Sequence, residues 1–217
     1  MSQCSVYTTA DGSKTLYSER FGEYYHSTFG AVNESKHVFI EAGYLASPVN
    51  PVSTLETGFG TGLNAWLTLQ HADKLQRCTY YEAIELYPID DATVCKLSED
   101  PLFRKLHAAT WEHHVEITPY FTLHKRKSDL LQTTFTRKFD IVYFDAFSPA
   151  VQPEMWSIDI FTKLYAAMNK NAILTTYCAK GEVRRTMQSA GFTVERLPGP
   201  AGKREILRSC RVNAFEF

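Results

Sequence analysis

Apolar positions along this chain follow two alternating rhythms. From about residue 50 onward, short and nearly unbroken apolar runs, such as Phe139-Asp140-Ile141-Val142-Tyr143-Phe144, alternate with longer stretches in which apolar residues recur every third or fourth position. The first rhythm predicts strands buried on both faces, the second helices with one apolar face. Strands are predicted over 51–55, 79–85, 121–127, 139–144, 172–177, 192–197 and 205–211. Helices are predicted over 63–69, 90–97, 101–109, 153–168 and 183–190, the last closed by Gly191. Residues 132–138 and 198–203 read as loops. Regular alternation of strand and helix implies an α/β architecture built on a mostly parallel, doubly wound sheet.

The first 50 residues have a different texture. Predicted strands over 5–9 and 14–18 flank Ala10-Asp11-Gly12-Ser13, and Asp-Gly between β-prone runs signals a hairpin. Asn33 is placed to cap a helix running to about Tyr44 and stopped by Pro48. Residues 1–50 are therefore expected as a hairpin and helix extension covering one sheet edge, with 51–217 as the main domain. The extension is rich in Tyr, His and Ser, which makes Tyr25, His26, Glu34 and Ser35 secondary candidates for lining a site.

One stretch organises the rest. Between the strand ending at Leu55 and the helix opening at Leu63 lies Glu56-Thr57-Gly58-Phe59-Gly60-Thr61-Gly62. Glycines on alternate positions permit positive φ and let a ligand touch backbone, and a helix N-terminus adds free N–H groups. The spacing is neither the dinucleotide fingerprint nor a P-loop, since no Gly-Lys-Ser/Thr follows. A nucleoside suits it better than a pyrophosphate.

In such sheets, ligands sit beyond the carboxyl ends of the strands. The acids at those ends are then informative. Glu85 follows the second strand at the distance where a carboxylate holds a ribose diol. Ser128-Asp129 follows the third, where an acid meets an exocyclic amino group. Asp145 follows the fourth, in Asp145-Ala146-Phe147-Ser148-Pro149. Net charge is −1, so any nucleic-acid contact must be a local patch. The five cysteines are odd in number and scattered without C-x-x-C, which favours a reducing cytoplasm. No histidine or cysteine spacing supports a metal, and neither a membrane-spanning apolar run nor a leader is apparent.

Together, Glu56-Thr57-Gly58-Phe59-Gly60-Thr61-Gly62-Leu63-Asn64, the block from Phe144 to Pro149 with Pro153-Glu154-Met155-Trp156, and Gly181-x-Val183-Arg184-Arg185 through Gly202-Lys203-Arg204-Glu205 resemble a known family. They are similar to the Rossmann-like class I S-adenosylmethionine-dependent methyltransferases, and specifically to the MnmC/MnmD type. Glu34-Ser35-x-His37-Val38-Phe39 carries the likeness into the extension. That family finishes the 5-methylaminomethyl group of a wobble (2-thio)uridine in tRNA. The longer members continue into a flavin oxidase domain, and this chain is expected to be the stand-alone type.

The resemblance implies S-adenosyl-L-methionine as cofactor and tRNA, through its anticodon stem-loop, as partner, with a functional link to the enzyme that makes the aminomethyl intermediate. It places Glu56, Gly58, Gly60, Gly62, Asn64, Glu85 and Asp129 around the cofactor. Asp145 would bind and orient the acceptor amine and then take its proton. Phe147 and Pro149 would wall the pocket, and Tyr177 would pack on base or cofactor. Lys203 and Arg204, in a glycine-bearing loop, and Arg184-Arg185 are expected to meet phosphates. The adjacent prolines that grip flat amino groups are absent after Asp145, which favours an sp³ amine. The residues alone leave open a methyltransferase for a small amine or a protein, and a non-catalytic nucleotide-binding module.

Overall fold

The computed structural model describes residues 4–211. It begins with a three-stranded antiparallel sheet of β1 (Cys4–Thr8), β2 (Lys14–Ser18) and β3 (Glu23–Tyr24), with the expected Asp-Gly turn between the first two. Helix α1 (Ala31–Ser35) runs directly into a π-helical stretch, Lys36–Tyr44. The expected Asn33 cap is replaced. The helix starts at Ala31, and its free N–H groups are taken by the hairpin turn. Ser13 Oγ accepts from Ala31 at 3.1 Å and Val32 at 3.2 Å, and Asp11 accepts from Asn33 at 3.2 Å.

The main body continues with β4 (Val52–Thr57), α2 (Leu63–Leu75), β5 (Thr79–Ile84), α3 (Asp91–Leu97), α4 (Pro101–Ala108), β6 (His114–Thr118), β7 (Phe121–Arg126) and β8 (Phe139–Phe144). A 3-10 turn, Pro153–Trp156, precedes α5 (Ile158–Ala167), β9 (Met168–Thr176), α6 (Gly181–Ser189), β10 (Thr193–Pro198) and β11 (Glu205–Cys210). The stretch expected as one helix over 153–168 is thus broken at Ser157, whose hydroxyl caps α5 by accepting from Ile160.

The large sheet has the order β10-β11-β9-β8-β4-β5-β7-β6. Its centre, β9-β8-β4-β5-β7, is parallel, while β6, β10 and β11 pair antiparallel at the edges. From β4 the chain steps outward through β5 to β7, then returns to β8 on the other side. The reversal lies between β4 and β8, so the crevice opens where their carboxyl ends diverge.

Both faces of the central strands are covered, which is why those strands read as unbroken apolar runs. On one face Phe144 packs with Trp156, Phe161 and Leu164. On the other, Tyr81, Phe121 and Tyr143 pack with Phe39, Tyr44 and Leu69. The π-helical stretch lies close against β8: a Cβ added at Gly43 would come 3.1 Å from the Tyr143 ring. Beyond its end, the Arg77 guanidinium donates to the carbonyls of Tyr44, Ser47 and Val49 and closes off the exposed backbone. Among the described residues no helix is long and apolar enough to cross a membrane.

Candidate active site

The parallel strands carry their chemistry at one end, around a cleft of about 280 Å³. Directly after β4, Gly58, Gly60 and Gly62 hold φ of 93°, 50° and 74°. A Cβ on Gly58 would sit 2.8 Å from the Asp145 carbonyl oxygen, so the loop and the β8 end fit only without a side chain there. From below, the His107 ring lies 2.9 Å from the Thr61 carbonyl oxygen; burial pushes its pKa down to about 4, so a neutral imidazole supports the loop.

Glu85, just past β5, accepts from the Gly60 N–H at 2.9 Å and the Tyr87 N–H at 2.7 Å. Burial pushes its carboxyl up and these N–H groups pull it back. A carboxylate offers about four acceptor positions, so capacity for a ribose diol remains. Asp129, past β7, accepts from the Leu131 N–H at 2.9 Å and lines the same cleft. A backbone cradle that a Cβ would fill, followed by an acid with spare acceptor sites, fits the nucleoside end of S-adenosyl-L-methionine.

Asp145 stands opposite, at the end of β8. Asn64, on the first turn of α2, donates to it at 2.8 Å. Burial lifts the Asp145 carboxyl to about 7, the charge of Glu34 adds to the rise, and Asn64 and Lys203 oppose it. Glu56 lies beneath, 0% exposed, with the Asn64 amide and Tyr81 hydroxyl against it. Burial and the Asp145 charge push the Glu56 carboxyl well above its ordinary value, toward the neutral form. Of the two acids, Asp145 is the one with an ammonium, that of Lys203, favouring its ionised form.

The walls are aromatic. Phe147 stacks on Phe21 with centroids 4.3 Å apart and meets the edge of Tyr25 at 5.0 Å. The Trp156 indole N–H donates to the Phe147 carbonyl at 2.7 Å, and Tyr177 O–H donates to the Ala146 carbonyl at 2.9 Å. The N-terminal segment forms the roof. Glu23 accepts from both the Ser148 N–H and hydroxyl, and His26 lies 2.9 Å from the Thr15 hydroxyl and 3.5 Å from that of Thr61. Burial lowers His26 to about 4, so it is neutral. Lys203 reaches in from the β10–β11 loop, pairs with Glu34, and sits 3.9 Å above the Tyr177 ring.

Of the residues singled out in the sequence, Gly58, Gly60, Glu85, Asp129, Asp145, Phe147, Tyr177 and Lys203 line the cleft, as do Tyr25, His26 and Glu34. Gly62 opens α2, Asn64 points to Asp145, and Glu56 is sealed under the loop. Ser35 is also fully buried, and Pro149 and the exposed Arg204 lie outside the lining, as do Arg184 and Arg185 on α6. Phe21, Glu23 and Tyr24 line the roof without having been singled out; the aromatic density of the first 50 residues was the signal available.

Comparison with known proteins bears on the same site. Residues 105–211 match the family described as S-adenosyl-L-methionine-dependent methyltransferase. The tRNA 5-methylaminomethyl-2-thiouridine biosynthesis bifunctional protein MnmC of Magnetococcus marinus is 32% identical over 224 residues, covering 92% of this chain and 33% of that protein. The chain spans about a third of the length of the curated relatives it matches. Among solved structures, MNMC2 from Aquifex aeolicus superposes with a TM-score of 0.82 at 24% identity, covering 100% of this chain and 74% of that one. Spermidine synthase from Thermotoga maritima gives 0.65 at 12% identity, covering 97% and 70%. At these identities the structural likeness speaks to the fold, which is the α/β Rossmann-like fold expected from the sequence. The glycine cradle, the strand-end acids and the match of residues 105–211 to an S-adenosyl-L-methionine-dependent methyltransferase family converge on S-adenosyl-L-methionine as the cofactor.

Proposed function

We propose that this chain transfers a methyl group to the amine of 5-aminomethyl-(2-thio)uridine at the tRNA wobble position, giving 5-methylaminomethyl-(2-thio)uridine. One observation carries the reading: a buried carboxyl, Asp145, faces an aromatic-walled cleft beside the cofactor cradle, in a chain whose curated relatives are named for that nucleoside. In the same reading, residues 1–50 form the extension that roofs the site and 51–217 the methyltransferase domain. The partner is the anticodon stem-loop, the work is cytoplasmic, and another enzyme supplies the aminomethyl group.

The bound cofactor supplies an electrophilic methyl on a sulfonium. The chain's residues do the rest. Gly58, Gly60 and Gly62 leave room for the cofactor's backbone-facing side, Glu85 receives the ribose hydroxyls and Asp129 the adenine amino group. An alkylamine has a pKa of ~10.4 in water and is mostly an ammonium at pH 7. Asp145, lifted to about 7, attracts that ammonium and is still basic enough to accept its proton. Phe147, Phe21 and Tyr25 exclude water and fix the approach, and orientation of this kind is worth ~7–11 kcal/mol of barrier. A flipped base enters over these rings, as single-stranded RNA bases commonly stack on aromatic side chains.

The decisive experiment is nucleoside mass spectrometry on tRNA carrying 5-aminomethyluridine, incubated with the protein with and without S-adenosyl-L-methionine. One added methyl on that nucleoside, only with cofactor, is the expected result. Cofactor binding without that gain would reassign the acceptor to a small amine or a protein.

A further inference from the structure

The exposed–buried contrast within Lys203-Arg204 separates two basic residues that the sequence treats alike. Arg204 is exposed. Lys203 turns inward, where its ammonium is already committed to Glu34 and to the face of Tyr177. Glu34 is 6% exposed, and its other carboxyl oxygen accepts from the Ser27 N–H at 2.7 Å. Drawing Lys203 out to an RNA phosphate would leave Glu34 buried without its cation, which is costly. Arg204 is free to meet a phosphate at no such cost.

We propose that Lys203, latched by Glu34 over the Tyr177 ring, is a positioning residue for methyl transfer: it presents a fixed positive charge on the Asp145 side of the cleft that drives the bound acceptor amine toward its neutral, nucleophilic form. This deepens the wobble-uridine reading and rests on it for the identity of the amine. The charges facing the site support it. Glu34 from α1 is the buried partner of Lys203, and at Asp145 its charge raises the carboxyl while that of Lys203 lowers it. Tyr177 and Cys178 beyond β9 are held protonated by burial, His26 from the roof is neutral, and burial pushes Glu56 under the loop toward its neutral form. Tyr25 in the roof is likewise pushed up by burial, Glu85 faces the ribose side, Glu23 is engaged with Ser148, and Lys180 lies toward Cys178.

Asp145 faces the acceptor side with a neutral amide, Asn64, as its side-chain donor, and the cofactor's sulfonium would match its charge. The ammonium that Asp145 attracts becomes a second cation next to Lys203 between aromatic walls, which favours release of its proton. Its proton passes to the Asp145 carboxylate. The amine lone pair then forms the nitrogen–carbon bond as the carbon–sulfur bond breaks, with its electron pair left on sulfur as a neutral thioether. A cation beside a nucleophilic amine lowers its pKa, as in lysine nucleophiles set beside another positive group.

The test compares Lys203→Met, Lys203→Arg and Arg204→Gln with the parent protein, measuring kcat/KM from pH 6 to 10 and the salt dependence of tRNA binding. Removing the Lys203 charge should raise the ascending limb by about one pH unit, the low end for loss of a neighbouring opposite charge. Activity at pH 7 should fall ~5-fold and return by pH 9, with the salt slope unchanged. Lys203→Arg should keep the limb. Arg204→Gln should keep the limb and flatten the salt slope by ~0.7, the expectation for one single-strand phosphate contact. An unmoved limb with a flatter slope in Lys203→Met would overturn the proposal and make Lys203 a phosphate contact. The Asp145 carboxyl, followed by ¹³C NMR in the cofactor-bound protein, should titrate about one unit higher in Lys203→Met. That titration needs no acceptor, so an unshifted Asp145 sinks the inference even if the wobble uridine is the wrong substrate, and a shifted one sustains the Lys203 charge in that case too.

Discussion

Asn64 was expected among the cofactor contacts, yet its side-chain amide donates to Asp145 at 2.8 Å from the first turn of α2. Replacing it with leucine keeps the approximate volume and removes the donor. A hydrogen bond to a charged group is worth ~1.5–3 kcal/mol, and one pKa unit is ~1.4 kcal/mol. Burial, with Glu34, already holds the Asp145 carboxyl at about 7. Without Asn64 it should move up by roughly 1–2 units. At pH 7 the ionised fraction then drops from about half to between ~1% and ~9%, so turnover should fall ~5- to 50-fold. The loss should reverse as the pH is raised toward 9. The assay is methyl transfer to 5-aminomethyluridine tRNA across pH 6–10, with cofactor affinity measured in parallel by calorimetry. An unchanged pH profile, or a loss that persists at high pH with weakened cofactor binding, would show that Asn64 serves the cofactor instead of the acid.

Other perturbations have equally definite outcomes. Glu85→Ala should weaken S-adenosyl-L-methionine binding ~10- to 100-fold by calorimetry, through loss of charge-assisted bonds to the ribose; unaltered affinity would remove Glu85 from the ribose site. Asp145→Asn should abolish turnover and stabilise the protein. The folded carboxyl titrates about three units above its unfolded value of ~3.8, so ionising it costs stability that develops as pH rises from about 4 to 7. Thermal melts should therefore show Asp145→Asn several degrees more stable at pH 8 and level with the parent at pH 4, and equal melting at both would refute the assignment. Asp11→Ala should remove the remote cap of α1 and cost about 1 kcal/mol, a drop of roughly 2–4 °C, read by calorimetric scanning.

The parts of the fold legible in the sequence were those whose burial is two-sided. Strand β8 occupies the expected residues 139–144 because both its faces are covered and every position but Asp140 is buried. The edges were harder. Strand β6, His114–Thr118, has its exposed positions on solvent and pairs only with β7, so nothing in its composition demanded a strand. The cap of α1 was misassigned because the groups that satisfy it sit on Ser13 and Asp11, across a tertiary contact that local pattern does not report. In the site, the strand-end acids could be read because a parallel sheet puts all its carboxyl ends together. The roof was legible only in part: Tyr25, His26 and Glu34 stood out, whereas Phe21, Glu23 and Tyr24 reach the cleft only through the packing of a separate small sheet and its turn. The inward turn of Lys203 depends on Glu34, and no spacing rule connects the two.

The roof of the cleft also has a temporal consequence. His37 Nε2 lies 2.7 Å from the Pro198 carbonyl oxygen, an interaction spanning 161 positions, and Glu34 meets Lys203 beside it. On a ribosome adding ~5–20 residues per second, the roof would wait roughly 8–30 s for the loop that fastens it. Through that interval the glycine cradle can take shape while the acceptor side stays open to water. Affinity for the cofactor should thus mature before catalytic competence, and the nascent chain would hold its methyl donor before it could spend it.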